Sequence, residues 1–228
     1  MPGALDRRQL LLAAAITAAC PALARAATLA FAPLVSGVDG AEGIAVAGDG
    51  GLYLSSANGV LRWSADGGLT AVAKTGPVAG IALDADGRIL AAVMGLLHDE
   101  PGPLLRIDPE SGAVETLVAE LGGRRLLASN MPAVAGDGGI YCTHSAWGNV
   151  RNIGRTDPEG FVYHYRNGRA EIVAAGLRGP NGCCLSADQR HFYVALTGEG
   201  RVRRWKREAD GHLHTPQDYG PLLGDVVP

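Results

Sequence analysis

Beyond residue 42 the chain alternates apolar and polar residues in short runs broken by Gly, Asp and Pro, and none keeps the three-to-four spacing of a long amphipathic helix. The runs fall into four segments of one shape, Gly43–Leu54, Gly80–Ala91, Pro132–Thr143 and Gly182–Val194. Each holds an alternating run, a turn at Asp-Gly or at its relic Asp188-Gln189, and a second run. Asp-Gly between such runs predicts a hairpin closed by a primed turn, whose twist matches that of the strands. A third run follows at Gly59–Trp63, Pro103–Asp108, Gly160–Tyr165 and Gly200–Trp205. A fourth is readable at Val114–Ala119 and Glu171–Ala174, after the Ser111-Gly112 and Asn167-Gly168 turns. The turn aspartates at 49, 86, 137 and 188 stand 37, 51 and 51 residues apart. Four antiparallel strands recurring at that period predict an all-β fold, a β-propeller of four-stranded antiparallel blades.

Four repeats fill residues 43 to about 210, and His212–Pro228 is expected to add only the beginning of a fifth, so the chain should hold about four to four and a half blades. Propellers close on themselves, which places roughly two further blades' worth of sequence beyond the C-terminus. Pro221–Pro228 reads as the linker into the next repeat. An open propeller presents unpaired strands and core, which predicts marginal stability in solution.

The first residues follow another pattern. Arg7-Arg8 precede an apolar stretch, Leu10–Ala19, then Pro21 and the small-x-small site Ala24-Arg25-Ala26, the layout of a cleavable export signal. Arg7-Arg8-Gln9-Leu10-Leu11 has the form of a twin-arginine signal, with Asp6 where Ser or Thr is usual. Ala18-Ala19-Cys20 as the end of a lipoprotein signal, or an ordinary buried helix, are the alternatives. The expected division is an export signal over 1–26 and an incomplete β-propeller domain over 27–228, with a periplasmic or secreted location. No run of eighteen apolar residues follows the first thirty, so no membrane contact is expected after signal removal.

Composition adds little to the fold and more to the partners. Glycine, 33 of 228 residues, is about twice as frequent as in average globular chains, as turn-rich β-structure requires. Without residues 1–26 the chain carries 17 basic against 22 acidic side chains, a balance that argues against nucleic acid or an anionic membrane as partner. Cys142, Cys183 and Cys184 then remain, and adjacent cysteines seldom bridge each other, so the three read as small buried hydrophobes in strands rather than as redox or metal groups.

Candidate chemistry lies where the repeats open. Glu42-Gly43 opens the first, Ser129-Asn130 the third and Pro180-Asn181-Gly182 the fourth, followed by Ser186-Ala187-Asp188 and Phe192-Tyr193-Val194. From about Phe31 onward these motifs, in this order and register, resemble the senescence-marker-protein, gluconolactonase and luciferin-regenerating-enzyme (lactonase-like) family. Members are six-bladed propellers with one divalent metal, usually calcium or zinc, at the axis, and they hydrolyse lactones or related esters. The resemblance implies a metal-dependent hydrolase of a small-molecule lactone or ester, with Glu42, Asn130 and Asn181 as ligands of a Ca or Zn ion. Each precedes an innermost strand, where a side chain can point into the channel, and oxygen ligands suit a hard cation. The family's acid/base is an Asp opening the following blade, which the 51-residue spacing puts at about 232, past residue 228. This chain alone is therefore expected to be inactive, its catalytic reading belonging to a longer parent. Ala128 stands where sugar-lactone members share an Arg, and Met131 where Asp is common, which speaks against a sugar acid lactone.

Blander readings attach to the same residues. Pro-Asn-Gly is an ordinary turn and Glu42 an ordinary surface carboxylate. His144 reads as a histidine hydrogen-bonded to backbone after an inner strand, and His212 and His214 as a solvated turn. Ser145 and Ser186 lack the Gly-x-Ser-x-Gly context of a serine hydrolase. The alternative functional class is a non-catalytic propeller that binds a ligand or protein on its loop face. A strictosidine-synthase-like propeller would share the fold without needing the Glu and Asn set.

Overall fold

A computed structural model describes residues 32–148 and 158–223. The chain divides into two units, Met1–Ser36 and Gly37–Pro228. The export signal expected over 1–26 lies outside the described residues, and every blade belongs to the second unit.

That unit is built from four-stranded antiparallel sheets whose strands are neighbours in chain order. Blade one comprises β1 (Ile44–Val46), β2 (Leu52–Ser56), β3 (Gly59–Ser64) and β4 (Gly68–Lys74); blade two β5 (Val78–Leu83), β6 (Ile89–Val93), β7 (Leu104–Ile107) and β8 (Val114–Val118). A small ribbon follows, β9 (Glu120–Leu121) with β10 (Arg124–Arg125). Blade three comprises β11 (Ser129–Val134), β12 (Ile140–His144), β13 (Gly160–Arg166) and β14 (Arg169–Leu177); blade four β15 (Pro180–Leu185), β16 (His191–Leu196), β17 (Arg201–Arg207) and β18 (Leu213–Tyr219). The β-propeller architecture expected from the repeat is the one adopted.

Two expectations are corrected. Residues 213–219 do not begin a fifth blade: β18 pairs with β17, Val202 opposite Tyr219 and Arg207 opposite Leu213, as the outer strand of blade four. His214 accordingly lies within a strand rather than a turn, while His212 lies just before it. The Asp-Gly hairpins, moreover, do not close through two-residue primed turns. In each, an N–H donates three residues back, as from Gly50 to the Ala47 carbonyl or Gly138 to the Ala135 carbonyl, and only the last turn residue has positive φ. That is a type I turn followed by one left-handed residue, the longer hairpin solution. The aspartate serves as a local cap, Asp49 Oδ1 accepting from Gly51 N and Asp137 Oδ1 from Gly139 N, both at 3.0 Å. Asn167-Gly168, with positive φ at both residues, is the genuine primed turn.

The core lies between blades, because alternation gives each sheet two apolar faces. Tyr53 and Val60 of blade one meet Ile81, Ile89 and Ile107 of blade two. Leu90 and Leu104 meet Ile140, Phe161 and Tyr163 of blade three, and Tyr141 and Val162 meet Phe192, Val194 and Trp205 of blade four. Burial of such side chains stabilises by about 1.5–3 kcal/mol each. A polar pin joins blades three and four: the Tyr141 hydroxyl donates to the Gly211 carbonyl at 2.7 Å, and Arg207 reaches both Tyr141 and Asp137.

Candidate functional site

The innermost strands approach one another too closely for side chains at one level. A Cβ on Gly43 would lie 2.8 Å from Ile81 N, and one on Gly80 would collide with the Asn130 carbonyl. The Thr143 hydroxyl then links blade three to blade four, donating to the Asn181 carbonyl at 2.8 Å while receiving Met131 N at 3.0 Å. Gly43, Gly80, Asn130 and Asn181 thus form one belt across successive blades, and the candidate ligands stand on it or one residue before it.

At this level the inner hairpins are irregular. Register shifts fall between Val78 and Ile81, Ser129 and Pro132, and Pro180 and Cys183. Each frees a residue pair from the ladder, and such bulges re-aim side chains. Asn130 and Asn181 lie in these shifts, inside β11 and β15 rather than ahead of them; Glu42 does precede β1.

The three candidates differ in environment. Asn130 is 5% exposed, and its Oδ1 is buried without a hydrogen-bond partner. An orphaned amide oxygen costs about 1–3 kcal/mol, so the atom is suited to an acceptor's role toward something not made of protein. Glu42 is exposed, its backbone N–H held by Ser55 Oγ at 3.0 Å, and it borders a small cavity. Asn181 is exposed, with Nδ2 donating to Thr197 Oγ1 at 3.4 Å, which turns its amide oxygen away from that partner. Oxygen donors of this kind match a hard cation. No group of three His, Cys, Asp or Glu among the described residues could hold a metal, so any site here depends on the asparagines.

Second-strand side chains position the ligand-bearing segments. In blade one the buried Ser55 Oγ accepts from Glu42 N and Gly43 N, at 3.0 and 2.7 Å. In blade three Thr143 occupies the equivalent place. The next residue, His144, is fully buried, stacked on Phe161 at 4.5 Å, and its Nε2 accepts from Leu127 N at 3.2 Å and Ala128 N at 3.1 Å. Burial, helped by the nearby Arg124 charge, pushes its pKa down to about 3, so the imidazole stays a neutral acceptor. The backbone-bonded reading of His144 is therefore the correct one, and it acts through the segment that delivers Asn130. The Ser129 hydroxyl is held by Tyr163 OH at 3.0 Å, and burial raises that phenol's pKa well above its usual value.

All three cysteines in the described residues are free. Cys142 is buried as expected, its thiol pushed up to about 12 by burial, but Cys184 is exposed on β15. Arg124 stacks on Trp147 at 4.3 Å, outside the belt. Sequence reasoning missed Ser55 and Thr143, whose only signal was a hydroxyl at the same repeat position, and missed the wall that Met94 and Leu97 give the cavity beside Glu42.

Known proteins resemble the chain in both sequence and fold. The sequence pattern of the SMP-30/Gluconolactonase/LRE-like region matches residues 41–219. A gluconolactonase of Zymomonas mobilis is 25% identical over 138 residues, 58% of this chain and 37% of that protein. The structure of a gluconolactonase from Xanthomonas campestris superposes with a TM-score of 0.66 and 26% identity, covering 79% of this chain and 62% of that one. A calcium-binding regucalcin from Agrobacterium tumefaciens, 20% identical, shares the fold with a TM-score of 0.63 over 81% of this chain and 59% of that one. The chain thus spans under two thirds of the length of these relatives.

Proposed function

The chain belongs to the SMP-30/gluconolactonase/LRE-like family, and from that premise we propose that it contributes the substrate-binding side of a metal-dependent hydrolase acting on a lactone or related ester. The observation that carries this is the Asn130 amide oxygen, buried, unpartnered and set on a bulge of an innermost strand. Glu42, Asn130 and Asn181 hold the cation, calcium fitting an all-oxygen set better than zinc. A bound divalent cation supplies Lewis acidity toward a carbonyl oxygen.

The chain's own residues provide the rest of the binding geometry. Ser55 and Thr143 fix the backbone on either side of the site, and His144 fixes Leu127 and Ala128 just before Asn130. Pre-set positions spare the ordering cost that binding would otherwise incur. An export signal over 1–26 would place the protein in the periplasm or outside the cell, which N-terminal sequencing of material from those fractions checks.

Calorimetric titration of the full chain with calcium and with zinc tests the reading. We expect saturable binding, weakened at least tenfold by Asn130→Ala and by Glu42→Gln. Equal affinity in both variants and the parent would overturn it.

A further inference from the structure

We infer that the substrate recognised here carries a short alkyl substituent, received by the cavity beside Glu42. This rests on the binding site proposed above and names its substrate class. The cavity, of about 120 Å³, is walled by Pro77, Val78, Met94 and Leu97, with Glu42 and His98 as its ionisable lining. The Ser56 hydroxyl, also in the wall, is already committed, donating to the Gly59 carbonyl and accepting from Asn58 N. Apart from the carboxylate given to the cation, the wall therefore offers few polar partners to a chain of hydroxyl groups. A buried hydroxyl without a partner is penalised, whereas methylenes gain by leaving water. At about 30 Å³ per water-sized group, the space takes roughly four carbon atoms.

The wall is firm rather than improvised. Met94 N donates to the Pro77 carbonyl at 2.9 Å, and Leu96 N to the Leu127 carbonyl at 2.7 Å. Leu127 N is in turn held by His144. The segment with Met94 and Leu97 is thus tied to the segment that leads into Asn130, so pocket and ligand are set by the same contacts. Leu97 remains 51% exposed at the rim, apolar surface that an alkyl group would cover. Met131 adds to the apolar surroundings, its sulfur lying against Gly80 next to Ala79 of the same cavity.

The test is a titration of the full chain, labelled with ¹³C-methyl methionine, against δ-lactones bearing no tail or straight tails of one to six carbons, and against glucono-δ-lactone. Met94 and Met131 are the methionines of the described residues, so their methyl signals read the site directly. Affinity should rise about fourfold per methylene up to roughly four carbons and then level off, with the Met94 methyl signal moving. Leu97→Asp should remove at least tenfold of the alkyl gain, while Val114→Asp, a similarly exposed residue lining a separate cavity, should leave it unchanged. Flat affinity along the series, a still Met94 signal, or tighter binding of glucono-δ-lactone would each overturn the inference. Alkyl-dependent binding without any calcium or zinc binding would overturn the metal reading and leave this one standing; metal binding with a preference for glucono-δ-lactone would do the reverse.

Discussion

The second strands of blades two and three occupy equivalent places, equally withdrawn from water, yet carry opposite chemistry. Ile89, Leu90, Ala91 and Ala92 in blade two are fully buried and wholly apolar, and Val93 follows at 3% exposure. Tyr141, Cys142, Thr143 and His144 in blade three are buried as completely. Registers align Ala92 with Thr143 and Val93 with His144, since Val93 faces Val78 as His144 faces Ser129. Blade two also carries Ala79 where blade three carries Asn130. Burial and register suffice to build a blade, so the polar groups of blade three serve another end. Each of the key ones binds backbone beside Asn130, and the blade without a candidate ligand has no such clasp. Blade one, with Glu42, has Ser55 in the equivalent place, whereas blade four, with Asn181, has Ala195 there and is held from blade three, whose Thr143 and Ser145 hydroxyls donate to the Asn181 and Pro180 carbonyls.

The contrast is most sharply broken by making blade three resemble blade two. His144→Leu leaves the part-buried Leu127 N–H and the buried Ala128 N–H without an acceptor, and a loss of about 2–5 kcal/mol in denaturant unfolding is expected. The same histidine makes the parent acid-sensitive. Its pKa is about 3 when folded, against an ordinary 6.5, so the unfolded chain binds the extra proton in between. The stabilisation is complete above pH 6.5 and is lost as pH falls toward 3, by up to about 1.4 kcal/mol per pH unit. His164, also lowered chiefly by burial, adds in the same direction. Unfolding midpoints against pH should show this slope in the parent and a shallower one in His144→Leu.

The reverse exchange gives a smaller effect. Val93→Thr puts a hydroxyl of nearly the same volume into the dry blade, and a cost of about 1–3 kcal/mol is expected from its missing partner. Thr143→Val removes one acceptor and one donor at the belt, costing about 1–2 kcal/mol while weakening calcium binding, a pairing that calorimetry on the folded variant would reveal. Tyr163→Phe loses the bond to Ser129 and the contact with the Cys142 thiol and should cost about 1 kcal/mol. Should Val93→Thr prove as harmful as His144→Leu, the idea that the polar groups of blade three have a separate purpose would fail.

Much of the fold was legible because its signals are local. Alternation places side chains on the two faces of a strand, and Asp-Gly marks the bend between strands. The outer strand Leu213–Tyr219 escaped for the converse reason: it faces solvent along one side, carries His214, Gln217 and Asp218, and includes Pro216, so it has no alternation to read. The ribbon Glu120–Arg125 was invisible because each arm is two residues long. At the candidate site, Glu42, Asn130 and Asn181 were readable as residue types at repeat positions. The orphaned Asn130 oxygen, the two N–H bonds to His144 and the cavity behind Glu42 were not, since each joins residues from strands far apart in the chain.

The sequence by itself determined that the chain makes four-stranded blades, how many repeats it carries and which residues open them, because strand period and turn chemistry act within a dozen neighbouring residues. Tertiary structure alone decided which opening residues become candidate ligands and which remain packing. The belt at Gly43, Gly80, Asn130 and Asn181 exists only where successive blades meet, and there a bulge, a hydroxyl and a buried imidazole fix the backbone that carries Asn130. Burial gives these polar groups their effect: in water Asn130 and His144 would be satisfied by solvent, whereas between blades they must find partners in the fold or in what it binds.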